Sequence, residues 1–132
     1  MVQGVRVLLD THVFLWWSEN NPQLSKKALR ILSDPANSLI LSVASAWEIA
    51  LKTQAGKLRI PEDAATYVPT RVAHYGIEIL PIHLAHALAL ASLPMLHRDP
   101  FDRMLVVQSQ IEKLPLVTAD PVIRGYAVEA IW

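Results

Sequence analysis

Four acidic residues of this sequence occupy positions at which soluble proteins normally avoid a charge. Asp10 and Asp120 each end a short apolar run, Glu48 lies inside a longer one, and Asp102 stands at the start of a fourth. Removing an unpaired carboxylate from water costs on the order of several kcal/mol, so each acid requires a compensating cation. An arginine can compensate one acid, whereas four converging acids are more typical of a divalent metal site.

Three of these acids also have structural explanations. Asp10 could cap the helix that follows it, although a serine would serve equally well. Asp120 precedes a proline and could initiate a turn. Glu48 could pair with Lys52 one helical turn later, but we expect such a pair to be weak. These explanations stay open for each residue alone, but they do not account for the joint placement of the acids.

The fourth acid belongs to a segment that reads as an ordinary helix start. Asp99 suits the N-cap position, Pro100 the first helical position and Asp102 the third. This explanation accounts for Asp99 almost completely. It accounts less well for Asp102, whose side chain could instead point towards the other acids.

The types of residue available indicate which metal such a site would hold. Carboxylate and water oxygens are the ligands that Mg²⁺ and Mn²⁺ prefer. The chain has no cysteine, and its five histidines show no recognised ligand spacing, although His83 and His86 are one helical turn apart. Zn²⁺ is therefore disfavoured, whereas Mg²⁺ or Mn²⁺ could activate water and stabilise the charge on a phosphoryl group.

The elements that must position these acids alternate along the chain. Short apolar runs predict strands, and amphipathic or alanine-rich segments between them predict helices. The predicted strands cover 5–9, 39–41, 77–80, 116–118 and 127–131. This order predicts an α/β fold with a central parallel sheet and helices on both faces. Ligand sites in such sheets lie beyond the carboxyl ends of the strands, where Asp10 and Asp120 fall.

Glycine and proline mark where the predicted helices end. Gly56 suits the position just after the helix that carries Glu48, and Gly76 should end the next helix. We expect Pro69 to interrupt that helix, because proline lacks the backbone N–H that a helix interior needs.

Length and composition set wider limits on the protein. We expect residues 1–132 to form a single domain. The formal net charge is +0, so any contact with nucleic acid would depend on local clusters of cations. The sequence shows neither the layout of a signal peptide nor an uninterrupted membrane span, and we expect a cytoplasmic protein without membrane contact.

Four segments resemble the PIN-domain ribonucleases, and among them the toxin branch called VapC. They read LLDTH at 8–12, SVASAWEI at 42–49, HRDPFDRML at 97–105 and LVTAD at 116–120. One such segment would be weak support, but the four occur in the order and at the spacing typical of the family. The resemblance implies a three-layer α/β/α fold and Mg²⁺-dependent endonucleolytic cleavage of RNA by the toxin of a type II toxin–antitoxin pair.

The resemblance also implies roles for the acids. Asp10, Glu48 and Asp102 become the central catalytic and metal-binding residues, with Asp120 as a fourth, more variable member. Asp99 is a further candidate metal ligand, and its direct contact with the metal stays open. One or two Mg²⁺ ions held by these acids would activate the water that attacks the scissile phosphate.

Further residues receive supporting roles by the same resemblance. Thr11 and Thr118 would orient carboxylates or water through their hydroxyl groups. Separately from the resemblance, five cations near the predicted acids could bind flanking RNA phosphates, although ordinary solvated charge explains each equally well: Lys52, Lys57, Arg59, Arg98 and Arg103.

The family resemblance implies two protein partners as well as RNA. A cognate antitoxin would block the acidic groove, and the chain would self-associate into a homodimer or higher oligomer. Trp16, Trp17 and Trp132 are apolar candidates for either interface. An alternative from a different functional class is a non-catalytic PIN-like module that binds RNA or protein.

Overall fold

A central parallel sheet organises the chain. The computed structural model describes residues 4–132, so residues 1–3 of the predicted single domain lie outside the described residues. Within the described part the strand order is β3-β2-β1-β4-β5, and every pairing is parallel. The strands are β1 (Arg6–Leu9), β2 (Ser38–Ser42), β3 (Glu78–Leu80), β4 (Leu116–Val117) and β5 (Ala130–Ile131). The predicted α/β class with a parallel central sheet is confirmed.

Helices cover both faces of this sheet. They are α1 (Thr11–Ser18), α2 (Lys26–Ser33), α3 (Val43–Gln54), α4 (Ala64–Tyr75), α5 (Leu84–Ala89) and α6 (Pro100–Glu112), with 3₁₀ turns at Leu90–Ser92 and Ile123–Gly125. Among the described residues, no helix combines the length and apolar character needed to cross a membrane.

The sheet separates two apolar cores, as alternating side chains of one strand show. Val7 and Leu9 of β1 point into a core that includes Phe14 of α1 and Tyr67 of α4. Leu8, between them, points into the opposite core with Leu105 of α6. Because successive strand residues face opposite sides, a strand buried on both faces is apolar throughout. The result is the expected three-layer α/β/α arrangement.

Local sequence signals place the ends of the helix that carries Glu48. The Ser42 hydroxyl accepts a hydrogen bond from the Ala44 N–H at 3.0 Å and so caps the start of α3. Gly56 follows the end of α3 with a φ of 72°, and Gly76 ends α4 with a φ of 63°. Both glycines occupy the left-handed conformation in which other residues are strained, as predicted.

One prediction about the helices is wrong. Helix α4 continues through Pro69 instead of being interrupted there. Pro69 is exposed, and so is Ala65 one turn earlier, whose carbonyl loses its helical partner where solvent can replace it. Tyr67 and Val68 are buried in the core on the other side of the helix. Tertiary packing therefore outweighs the local cost of the proline.

Candidate active site

The carboxyl ends of β1 and β4 lie side by side, and they bring two predicted acids together. Asp10 directly follows β1, and its N–H donates to the Val117 carbonyl of β4 at 3.0 Å. Asp120 lies just beyond β4. Helix α3 brings Glu48 to the same edge, and the first turn of α6 brings Asp102.

One cavity contains all the predicted acids. Its volume is about 340 Å³, and its acidic lining residues are Asp10, Glu48, Asp99, Asp102 and Asp120. These residues come from four separate parts of the chain. The acids therefore converge on one edge of the parallel sheet, as their positions at strand ends predicted.

Asp10 occupies the N-cap position of α1, but its side chain does not cap the helix. Its Oδ2 instead accepts a hydrogen bond from the Thr118 hydroxyl at 2.6 Å, and only 6% of Asp10 is exposed. Burial raises the pKa of Asp10, and the Thr118 hydrogen bond opposes that rise. The Thr118 oxygen also accepts from the Asp120 N–H at 3.0 Å. Thr118 thus orients the carboxylate of Asp10, in keeping with the role that the resemblance implies.

Thr11 forms a buried hydrogen bond to the neighbouring helix. Its hydroxyl donates to the Ser45 hydroxyl at 2.9 Å, and both residues are buried. This hydrogen bond joins α1 to α3 and fixes how the helix bearing Glu48 lies against the end of β1. Thr11 therefore supports the site through helix packing, and its role in orienting carboxylates or water stays a prediction.

Glu48 is 3% exposed, and its two oxygens have different surroundings. Oε2 forms an ion pair with the Lys52 ammonium group one turn later on α3. Oε1 is buried and has no hydrogen-bond partner among the described residues. Burial would lower the pKa of Lys52, but the hydrogen bond and charge of Glu48 raise it. Lys52 lines the acidic cavity, where its charge compensates Glu48.

Asp99 and Asp102 have different roles at the start of α6: Asp99 caps the helix, and Asp102 faces the other acids. Asp99 Oδ1 accepts hydrogen bonds from the N–H groups of Phe101 at 2.8 Å and Asp102 at 3.2 Å, which confirms the predicted N-cap. The pKa of Asp102 is raised to about 7 by burial and by the negative charges of Asp10, Asp99 and Glu48. The acids therefore repel one another strongly when no cation lies between them.

His97 is a site residue that the sequence reasoning missed. Its Nε2 lies 2.8 Å from Asp120 Oδ2 and 3.1 Å from Asp102 Oδ2. Its Nδ1 accepts a hydrogen bond from the Asp99 N–H at 3.1 Å, so in the neutral ring Nε2 carries the proton and donates to Asp120. The signal was its place at the start of HRDPFDRML, since histidine spacing along the chain gave no indication.

Charge and hydrogen bonding couple His97 to Asp120. Burial alone would lower the pKa of His97 and raise that of Asp120. The hydrogen bond to Asp120 and the charge of Asp102 instead raise the pKa of His97. The hydrogen bond from His97 lowers the pKa of Asp120. His97, Asp102 and Asp120 also offer ligand atoms within 4.8 Å of one another, close enough to hold a metal ion.

The structure corrects the expectation that Arg103 contacts RNA. Arg103 is 8% exposed, and its guanidinium donates to protein carbonyls. Nη1 lies 3.1 Å from the Pro94 oxygen and 3.4 Å from that of His97, while Nη2 lies 3.3 Å from Leu90 and 3.4 Å from Leu93. These hydrogen bonds hold the loop that carries His97. Its role is therefore to shape the site.

Tyr126 anchors the same loop from the other side. Its hydroxyl accepts hydrogen bonds from the N–H groups of Leu96 at 3.0 Å and His97 at 2.7 Å, and donates to the Pro94 carbonyl at 2.8 Å. Arg98, by contrast, is exposed beside His97, so its predicted contact with phosphate remains sterically open.

A parallel α/β sheet with clustered acids at its carboxyl edge defines the class of fold and site, and sequence comparison identifies the family. Residues 7–129 match the PIN domain. This match covers nearly the whole chain, so the protein belongs to the PIN domain family.

Two curated relatives come from Mycobacterium tuberculosis strain H37Rv. The chain is 43% identical over 70 residues to Ribonuclease VapC16, an alignment that covers 50% of each protein. It is 29% identical over 122 residues to Ribonuclease VapC22, covering 91% of each. The chain thus spans about half the length of the first relative and nearly all of the second.

Solved structures share the same fold. The chain superimposes on VapBC2 from Rickettsia felis, which is bound to a DNA fragment from its promoter, with a TM-score of 0.70 and 14% identity, covering 96% of this chain and 98% of the other. A toxin–antitoxin complex from Klebsiella pneumoniae gives a TM-score of 0.62 and 16% identity over 96% of each chain. At these identities the similarity establishes the fold.

Proposed function

We propose that this protein is a metal-dependent endoribonuclease. One observation carries the proposal: Asp10, Glu48, Asp102 and Asp120 meet in a single cavity at the carboxyl edge of a PIN-domain sheet. Two relatives named as ribonucleases support RNA as the substrate. Mg²⁺ is the proposed cofactor and Mn²⁺ a second possibility, because the lining oxygens are mainly carboxylates.

The residues of the cavity suit a divalent cation. Glu48 Oε1 is buried with no hydrogen-bond partner among residues 4–132, so a ligand position is available on an acid that Lys52 only half satisfies. Burial and the negative charges of Asp10, Asp99 and Glu48 raise the pKa of Asp102, so a bound cation would stabilise its ionised form. Asp10, Glu48, Asp102 and Asp120 would hold the metal, and Asp99 has a second oxygen that the helix cap does not use.

The chain's own groups determine how the substrate and the acids are positioned. When bound, the metal supplies Lewis-acid activation of water and neutralises charge on the phosphate. Thr118 fixes Asp10, while His97 Nε2 donates to Asp120 and lies 3.1 Å from Asp102 Oδ2. Arg98, exposed next to this site, would contact a flanking phosphate.

We further propose that the protein is the toxin of a type II toxin–antitoxin pair and acts on RNA in the cytoplasm. The names of its relatives and the toxin–antitoxin complex with the same fold support a cognate antitoxin as partner. Self-association into a homodimer or higher oligomer is also proposed. Val43, Trp47 and Leu51 recur every fourth residue of α3, and all are exposed, which provides an apolar surface for such contact.

RNA cleavage is the direct test. Purified protein should cleave RNA with Mg²⁺ or Mn²⁺ and should stop when a chelator is added. Asp10→Asn and Asp102→Asn should each reduce the rate at least about a hundredfold, since each removes a charged ligand. Asp63→Asn is the matched control, because Asp63 is exposed and makes no side-chain cap hydrogen bond. If both site variants cleave as fast as wild type, the assignment of the acids is wrong.

A cellular experiment tests the role of toxin separately. Expression of the chain alone should arrest growth, and Asp10→Asn should relieve the arrest. A non-catalytic binding module would leave RNA intact in the cleavage assay whatever metal is supplied, so the same pair of experiments decides between the two functional classes.

A further inference from the structure

His97 lies between two of the acids that line the acidic cavity. Its Nε2 donates to Asp120 Oδ2 at 2.8 Å and lies 3.1 Å from Asp102 Oδ2. A metal ion shared by these two carboxylates would lie about 2 Å from each oxygen, because Mg²⁺ binds carboxylates at that distance. Such an ion and the His97 ring would therefore compete for the same gap.

The His97 ring presents a proton to this gap and not a lone pair. Nδ1 accepts the hydrogen bond from the Asp99 N–H at 3.1 Å, which leaves the proton of the neutral ring on Nε2. A histidine binds a metal only through a deprotonated nitrogen. While the hydrogen bond from Asp99 stands, His97 excludes a metal from the gap and cannot serve as its ligand.

The surrounding loop fixes the ring in this place. The His97 N–H donates to the Tyr126 hydroxyl at 2.7 Å, and Arg103 Nη1 lies 3.4 Å from the His97 carbonyl oxygen. Both partners are buried, and they belong to parts of the chain outside the loop. Because the backbone of His97 is held on both sides, a metal ion could not displace the ring without breaking tertiary contacts.

Both oxygens of Asp120 are already engaged by the protein. Oδ2 faces His97, and Oδ1 accepts a hydrogen bond from the Val122 N–H at 2.8 Å. Two-metal sites hold their ions about 3.5–4 Å apart in a symmetric clamp, which requires free carboxylate oxygens on both sides. On the Asp120 side of this cavity the protein itself satisfies those oxygens.

The other side of the cavity retains free oxygens. Thr118 engages only one oxygen of Asp10, and Lys52 only one oxygen of Glu48. The helix cap uses a single oxygen of Asp99. Mg²⁺ is usually bound by one or two carboxylates and keeps several water molecules. The oxygens left on this side are therefore enough for one ion.

We propose that the site holds a single divalent metal ion and that His97 takes the place of a second one beside Asp120. The inference rests on the proposed function, because it gives the number of ions that the same acids hold. Asp120 then acts on the bound ion through its charge and through water. His97 is a positioning residue, since it holds an acid in place and leaves the ion to the other carboxylates.

The number of Mn²⁺ ions bound per chain tests this proposal without measuring cleavage. Mn²⁺ is titrated into the purified protein without RNA, and the free ion is quantified by its electron paramagnetic resonance signal. Wild type should bind one ion. His97→Asn should bind two, because asparagine can still accept the Asp99 N–H but is too short to reach Asp102 and Asp120. Its affinity for the second ion should exceed that of wild type at least about tenfold, since a charge-assisted hydrogen bond no longer competes.

The spectrum of the bound ions shows where the second one lies. Two Mn²⁺ ions about 4 Å apart couple magnetically, whereas an ion elsewhere on the surface does not couple to the first. His12→Asn is the matched control, because His12 lines the same cavity and forms no hydrogen bond to an acid within residues 4–132. This variant should bind one ion, as wild type does.

Thermal melting by circular dichroism checks that His97→Asn folds, and His97→Ala provides a second variant. Two coupled ions in wild type, or a single ion in the folded His97 variants, would overturn the proposal. Absence of Mn²⁺ binding by wild type would instead reject the metal dependence of the proposed function, so the two failures are distinguishable.

Discussion

Asp102→Asn should stabilise the metal-free protein, although it should abolish cleavage. Burial and the charges of Asp10, Asp99 and Glu48 raise the pKa of Asp102 from 3.8 to about 7. In the unfolded chain the same group titrates at its ordinary pKa. Between these two values the folded state binds more protons, so the free energy of unfolding falls as pH rises from about 4 to about 7.

The size of this effect follows from the pKa difference. Each pH unit corresponds to about 1.4 kcal/mol, so the difference of about three units sets an upper limit of about 4 kcal/mol. The side chain is 15% exposed, and solvent screening reduces the effect to about 2 kcal/mol. Asparagine carries no charge and still offers an oxygen to His97. At pH 8 the variant should therefore gain about 2 kcal/mol over wild type, and at pH 5 roughly a third of that.

Urea unfolding followed by tryptophan fluorescence in excess chelator measures this gain at both pH values. Asp63→Asn, the exposed control, should leave the free energy of unfolding unchanged at pH 5 and pH 8. Added Mg²⁺ should reverse the order of wild type and Asp102→Asn, because it binds the folded wild type more tightly. If Asp102→Asn is less stable than wild type by the same amount at both pH values, the carboxylate has a structural role and the electrostatic reasoning is refuted.

Three other substitutions test the supports of the site. Thr118→Val should reduce metal-dependent cleavage about ten- to a hundredfold, because Asp10 loses the hydroxyl that orients it; a rate equal to wild type would contradict this. His97→Ala should destabilise the metal-free protein more at pH 6 than at pH 8 in urea unfolding. The raised pKa of His97 means that its stabilising charge is fully present below pH 6.5 and is lost as pH rises through the folded value. Arg103→Lys should lower the free energy of unfolding by about 2 kcal/mol or more, because an ammonium cannot reproduce the hydrogen bonds of a buried guanidinium; an unchanged urea midpoint would argue against that role.

Much of the fold follows from local patterns that act within a few residues. Buried strands need apolar side chains on both faces, so the buried part of β1 is visible as the apolar run from Val7 to Leu9 that precedes Asp10. Gly56 and Gly76 mark helix ends because few other residues accept a left-handed backbone. Pro69 shows the limit of this reasoning, since burial of Tyr67 and Val68 on the far side of α4 decides its course.

Some features of the candidate site likewise follow from local sequence, whereas others depend on the packed fold. Local sequence is enough to identify the acids at strand ends and helix starts, because a carboxylate in an apolar run is anomalous whatever the fold. It could not determine that Arg103 turns inwards to loop carbonyls, nor that Thr11 bonds to Ser45. The side chains of Arg103 and Thr11 could each pair with several partners at a similar cost in free energy. Only the packed fold selects among these partners.

The sharpest example is His97, which in sequence is one of several histidines without ligand spacing. The loop held by Arg103 and Tyr126 places its Nε2 between Asp102 and Asp120. Hydrogen bonds of about 3 Å depend on distances between elements remote in the chain, which no spacing along the sequence encodes. Sequence thus determined which groups carry the charge, and tertiary structure decided which groups hold them in place.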